Sequence, residues 1–131
     1  MEPILWGRSF GAASALISHF IFPKLTEALI IESPFTSVPD VYRSIFPYCC
    51  IGRILACITH LSWRNDQIIH DVEVPILFVC GTNDTLTPIE MTRELYRRAL
   101  LSSRKQLYEV IGGGHSPPLH TSDSNYWNKI Y

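Results

Sequence analysis

The sequence predicts an α/β fold, a mostly parallel sheet of about four strands with flanking helices and a short helical cap. Three observations predict it. Ile4–Trp6, Ala28–Ile31, Ile76–Cys80 and Leu107–Ile111 are continuous apolar runs without polar alternation, the pattern of parallel strands covered on both faces. Segments with helical character lie between the runs, so strand and helix alternate along the chain. The 131 residues are 47% apolar and 18% charged, which suits one globular domain spanning residues 1–131.

The first run ends in Gly7, and Phe10–Phe22 then opens with Gly11, Ala12 and Ala13. Such small residues let a helix sit close to a sheet. After the second strand, residues 33–71 differ from the rest. Turn chemistry at Ser33-Pro34 and Val38-Pro39 is followed by Tyr42, Ile45, Phe46, Tyr48, Ile51, Ile54, Leu55, Ile58, Leu61 and Trp63 on short helices. One reading is an apolar face buried against the domain. The other is a cap-like insertion over a pocket that takes an acyl chain or another apolar group. Past the third strand, Thr87-Pro88-Ile89-Glu90 reads as a capping box with proline at the first helical position. It starts a helix on which Ile89, Leu95, Tyr96, Ala99 and Leu100 share a face. Thr121-Ser122-Asp123 caps a last short helix reaching Tyr131.

Charge and cysteine usage exclude several function classes. Eleven Lys and Arg against twelve Asp and Glu leave a net charge of -1, so no polybasic surface is offered to nucleic acid or anionic lipid. The longest apolar stretch, Ile45 to Ile58, is interrupted by Pro47, Gly52 and Arg53 and is too short to span a bilayer. No signal peptide is expected, because the first motif begins at Gly7. Cys49, Cys50, Cys57 and Cys80 do not form a disulfide framework, which favours a reducing compartment, the cytoplasm or the cytoplasmic face of a membrane.

The chemistry begins with Gly7-Arg8-Ser9-Phe10-Gly11, a G-x-S-x-G between a strand and a helix. A sharp strand-to-helix turn exposes the serine hydroxyl at the carboxyl edge of the sheet, and the flanking glycines avoid the Cβ clashes of such a turn. The helix N-terminus stabilises negative charge beside it. The plain alternative is a glycine-rich turn with Ser9 as helix cap. Serine needs a base, and five histidines are available. His19 lies in the first helix, and His60 and His70 sit in the apolar mid-section. His115 follows the last strand and Gly112-Gly113-Gly114, a loop able to carry an imidazole to the sheet edge; His120 is the weaker choice. None joins Cys, Asp or Glu at zinc-like spacing, so no metal or organic cofactor is implied. The orienting acid is Asp84, after the third strand in Gly81-Thr82-Asn83-Asp84. Its plain reading is a turn aspartate, and Glu32 after the second strand is the runner-up. Asn83-Asp84-Thr85 also matches a glycosylation sequon by chance. Arg8 is read as solvent-facing or ion-paired. Serine, aspartate and histidine each follow a separate strand, in the order that α/β-hydrolases use and that the chymotrypsin and subtilisin orders do not.

On these residues the chain resembles the carboxyl half of an α/β-hydrolase of the bud-emergence-type branch. The resemblance runs through Ile4–Ala12, Glu32–Asp40, Val74–Asp84 and Gly112–His115, with Ser116-Pro117-Pro118 as a departure after the histidine. It implies Ser9 as nucleophile, Asp84 as acid, His115 as base, a cap after the second strand, and acyl or peptide substrates. Relative to a complete member, the strands preceding the nucleophile strand have no counterpart here. That leaves Ile4 and Leu5 on an apolar edge able to self-associate, and only the Phe10 N–H as oxyanion donor. The function implied is a serine hydrolase of carboxylic esters, thioesters or peptides acting through an acyl-enzyme. The alternative is a catalytically inactive fragment or interaction module.

Overall fold

A computed structural model describes residues 3–48, 50, 51, 54, 57 and 62–115. Its elements are β1 (Ile4–Arg8), α1 (Phe10–Ile21), β2 (Ala28–Glu32), α2 (Val38–Ile45), α3 (Asn65–Ile68), β3 (Ile76–Gly81), α4 (Ile89–Arg98) and β4 (Lys105–Val110). Short 3-10 turns follow α1 at Pro23–Leu25 and α3 at Ile69–Asp71. The four strands form one sheet in the order β1-β2-β3-β4 with every pair parallel. This is the expected α/β architecture. Because all strands run the same way, the loops after β1, β2, β3 and β4 gather at a single edge. That shared edge positions the site.

One core layer holds the helices on the sheet. Ala12 and Leu16 of α1, Leu29 and Ile31 of β2, Ile76 and Phe78 of β3, and Leu95 and Ala99 around the end of α4 are buried together. Ala12 and Ala13 are fully buried, Ala12 in this core with the strand residues and Ala13 against Phe35 and Val38. Val79 and Val110, with Leu77 and Tyr108, form a separate cluster. A third groups Ala13, Phe35 and Val38 with Val41, Tyr42, Trp63 and Met91.

Several expectations are corrected. Burial along β1 alternates, with Ile4 57% and Trp6 49% exposed, so the strand is not covered on both faces within this chain. β4 begins at Lys105, before its apolar run. A charged residue suits this edge: Lys105 Nζ donates to the Tyr96 carbonyl at 2.9 Å and sits 4.8 Å over the Tyr96 ring, while Arg93 reaches from α4 to grip Glu109 with two hydrogen bonds. Leu100 lies beyond the end of α4 and is exposed. In the mid-section Ile45, Phe46, Tyr48, Ile51 and Ile54 are exposed, whereas Tyr42 and Trp63 pack against the buried Phe35 and Val38. Residues 52, 53, 55, 56 and 58–61 lie outside the described residues, as do His120, Ser116-Pro117-Pro118 and the helix expected at Thr121–Tyr131. Among the described residues no helix is long and apolar enough to cross a membrane.

Candidate active site

Ser9 occupies the turn between β1 and α1 with φ 54° and ψ −116°, backbone values that a non-glycine residue adopts only under constraint. The constraint is visible on both sides. The Ser9 N–H donates to the Glu32 carbonyl of the neighbouring strand at 2.9 Å, and the Ser9 carbonyl accepts from Ala12 and Ala13 in the first turn of α1. Gly7 is needed for this close pass, since a Cβ there would lie 2.1 Å from the Gly11 carbonyl oxygen. Gly11 is not: a Cβ at that position would meet nothing within 4 Å. Of the two glycines flanking the serine, only the first answers a clash. The Ser9 side chain makes no capping hydrogen bond to α1, which removes the reading of Ser9 as a helix cap. Phe10 is the first residue of α1, so its N–H is among those with no intrahelical acceptor.

His115 arrives on a loop stitched to the end of β3. Gly113 N–H returns to the Val110 carbonyl, Gly112 N–H donates to Thr82 Oγ1, and the Gly113 carbonyl accepts from Asn83 N–H. The two loops pass so closely that a Cβ on Gly81 would lie 2.2 Å from the Gly113 oxygen. Through this contact the histidine loop is set against the aspartate loop.

The three expected residues meet. His115 Nε2 lies 3.2 Å from Ser9 Oγ, and His115 Nδ1 lies 2.8 Å from Asp84 Oδ2. With its proton on Nδ1, the imidazole donates to the carboxylate and leaves Nε2 as acceptor for the serine hydroxyl. Asp84 is buried, and its other oxygen, Oδ1, accepts from the Leu86 and Thr87 N–H groups at 2.9 Å each. Burial alone would raise its carboxyl. Hydrogen bonds from the Thr87 N–H, the His115 ring and the Thr87 hydroxyl outweigh that, and hold it below the ordinary carboxylate range. Asp84 therefore stays ionised beside the imidazole.

Other candidates go elsewhere. Glu32 is buried and accepts the Trp6 indole N–H at 2.8 Å. His19 is buried in α1, His70 is exposed on the 3-10 turn after α3, and Arg8 is exposed at the end of β1. The residue that sequence reasoning missed is Thr87. The capping box does not form: α4 starts after Pro88 with no side-chain cap, and the Thr87 hydroxyl turns to Asp84 Oδ2 at 2.8 Å. An aromatic group also adjoins the serine, with the Phe10 ring edge-on to Phe35 at 5.3 Å and to Trp63 at 5.5 Å. Trp63 holds its place with a positive φ of 32°.

No protein-family model matches the chain. An uncharacterized membrane protein of Saccharomyces cerevisiae is 30% identical over 129 residues, covering 97% of this chain and 43% of the relative. The alpha/beta hydrolase domain-containing protein WAV2 of Arabidopsis thaliana is 25% identical over 134 residues, covering 95% of this chain and 44% of the relative. Among solved structures, an esterase of Pyrococcus furiosus superposes with a TM-score of 0.78 at 14% identity, covering 98% of this chain and 52% of that one. The chain has the α/β-hydrolase fold and is similar in sequence, over part of their length, to proteins named α/β hydrolases. As a hydrolase-fold chain it spans less than half the length of these curated relatives.

Proposed function

We propose that this α/β-hydrolase chain is a serine hydrolase of carboxylic esters, thioesters or peptides, with Ser9, His115 and Asp84 as its catalytic triad. The observation that carries the reading is the continuous path from Ser9 Oγ to His115 Nε2 at 3.2 Å and from His115 Nδ1 to Asp84 Oδ2 at 2.8 Å. Ser9 Oγ attacks the carbonyl carbon while Nε2 takes the hydroxyl proton, and the ionised Asp84 stabilises the imidazolium that forms. The Phe10 N–H, at the positive end of α1, donates to the oxyanion. The imidazolium then returns its proton to the leaving alcohol, thiol or amine, giving an acyl-Ser9. Water attacks that ester in a second cycle with His115 again as base. The esterase fold neighbour supports an ester, and the exposed apolar mid-section supports a cap that receives apolar acyl groups. A cytoplasmic site, free or at a membrane face, goes with this reading.

The test is turnover of p-nitrophenyl butyrate and of an acyl thioester by the purified chain. Hydrolysis that disappears in Ser9→Ala supports the reading; equal rates in both overturn it. The open β1 edge, with Ile4 and Trp6 exposed, favours a second reading in which the chain is an inactive module that self-associates along that edge. It predicts no turnover together with dimers in size-exclusion chromatography.

A further inference from the structure

Thr87 is almost completely buried, at 1% exposed, and its hydroxyl sits where three loops meet. Oγ1 lies 2.8 Å from Asp84 Oδ2, 3.2 Å from His115 Nδ1 and 3.3 Å from the Ser33 carbonyl oxygen. These partners follow β3, β4 and β2. The same residue's N–H donates to Asp84 Oδ1 at 2.9 Å, so Thr87 holds both oxygens of the carboxylate. Ser33, the remote partner, has a positive φ of 42°, an unfavourable backbone state for serine that turns the loop after β2 toward the site.

We propose that Thr87 is a positioning residue of the site, which fixes the plane of the Asp84 carboxylate and through it the direction of the His115 imidazole. The kinetic part of this inference rests on the triad reading above. Oδ1 accepts from two backbone N–H groups, and because one torsion carries both oxygens, the donors at Oδ2 hold the same plane from its other side. At Oδ2 the Thr87 hydroxyl donates beside the imidazole N–H. The Ser33 carbonyl, 3.3 Å from Oγ1, is the weaker alternative acceptor for the single hydroxyl proton. Thr87 Oγ1 is also within reach of the Nδ1 proton as a second acceptor, which favours the tautomer that leaves Nε2 open toward Ser9. Thr87 stands one residue before Pro88, which occupies the cap position of α4.

The test compares Thr87→Val, which removes the hydroxyl and keeps the shape, with Thr87→Ser, which keeps the hydroxyl. For p-nitrophenyl butyrate, Thr87→Val is expected to lower kcat by about 10- to 100-fold. KM stays within about twofold in that variant, and Thr87→Ser stays within about threefold of wild type in kcat. In proton NMR the His115 Nδ1–H resonance, downfield in wild type and Thr87→Ser, is expected to broaden or move upfield in Thr87→Val. A folded Thr87→Val with wild-type kcat and an unmoved resonance overturns the proposal. So does Thr87→Ser as impaired as Thr87→Val, because a retained hydroxyl then fails to preserve the rate. Where wild type turns over no ester, the triad reading fails, and the resonance alone decides the role of Thr87. Should Thr87→Val not fold, Thr87→Cys, a weak donor of similar size, replaces it with the same loss expected relative to Thr87→Ser.

Discussion

Gly81→Ala moves the histidine without touching it. The added Cβ would lie 2.2 Å from the Gly113 oxygen, 2.4 Å from the Gly113 carbonyl carbon and 2.8 Å from the Gly114 oxygen. All three are backbone atoms, so no side chain can swing away, and Gly81 itself is pinned inside β3 by its register with Val110. The histidine loop must retreat by about 1 Å to restore contact distance, and His115 travels with it. The 2.8 Å bond to Asp84 and the 3.2 Å contact to Ser9 cannot both survive that displacement. A misplacement of that size costs on the order of 10²-fold in rate. Overpacking adds a stability loss of about 1–3 kcal/mol. The assay is the second-order rate of fluorophosphonate labelling at Ser9, with the melting temperature followed on the same samples. Gly114→Ala is the control, because its Cβ would meet nothing within 4 Å. A Gly81→Ala protein that labels as fast as wild type would refute the reasoning, as would equal losses in both variants.

Two further outcomes follow from local geometry. Gly7→Ala is expected to lose labelling and melt lower, because its Cβ collides with the backbone of α1, whereas Gly11→Ala keeps both; the reverse ranking contradicts the account of the turn. Burial pulls the His19 imidazole down against the opposing pull of Glu73, and its Nδ1 has no hydrogen-bond partner among the described residues. The folded state then binds fewer protons than the unfolded state between the lowered value and the ordinary one near 6.5. Stability should therefore fall as pH drops through about 6.5, and His19→Leu should flatten that slope between about pH 7.5 and 5.5; parallel melting curves for the two proteins would contradict it.

The sheet was readable because its strands carry their burial in composition. Ile76–Cys80 is buried nearly throughout, and a continuous apolar run is what such a strand requires. The placement of Ser9, Asp84 and His115 was readable because parallel strands send all their carboxyl ends to one edge. Side chains whose roles depend on competition between partners were not. Thr87 followed the syntax of a helix cap, but the cap position falls on Pro88, and the Thr87 hydroxyl donates to the buried Asp84 carboxylate. Lys105 hid the start of β4, because a lysine that leans over a tyrosine ring looks polar in sequence and is half-buried in the fold. The exposure of Ile45, Phe46, Ile51 and Ile54 was invisible too, since an apolar residue reads the same whether it faces a core or solvent.

The most direct measurement treats the purified chain with a fluorophosphonate and locates the adduct by peptide mass spectrometry. A single adduct on the peptide containing Ser9, absent in Ser9→Ala and strongly slowed in His115→Ala, is the predicted result. A chain that stays unmodified, or one modified elsewhere and equally in all three proteins, would contradict the assignment of Ser9, His115 and Asp84 as a working triad.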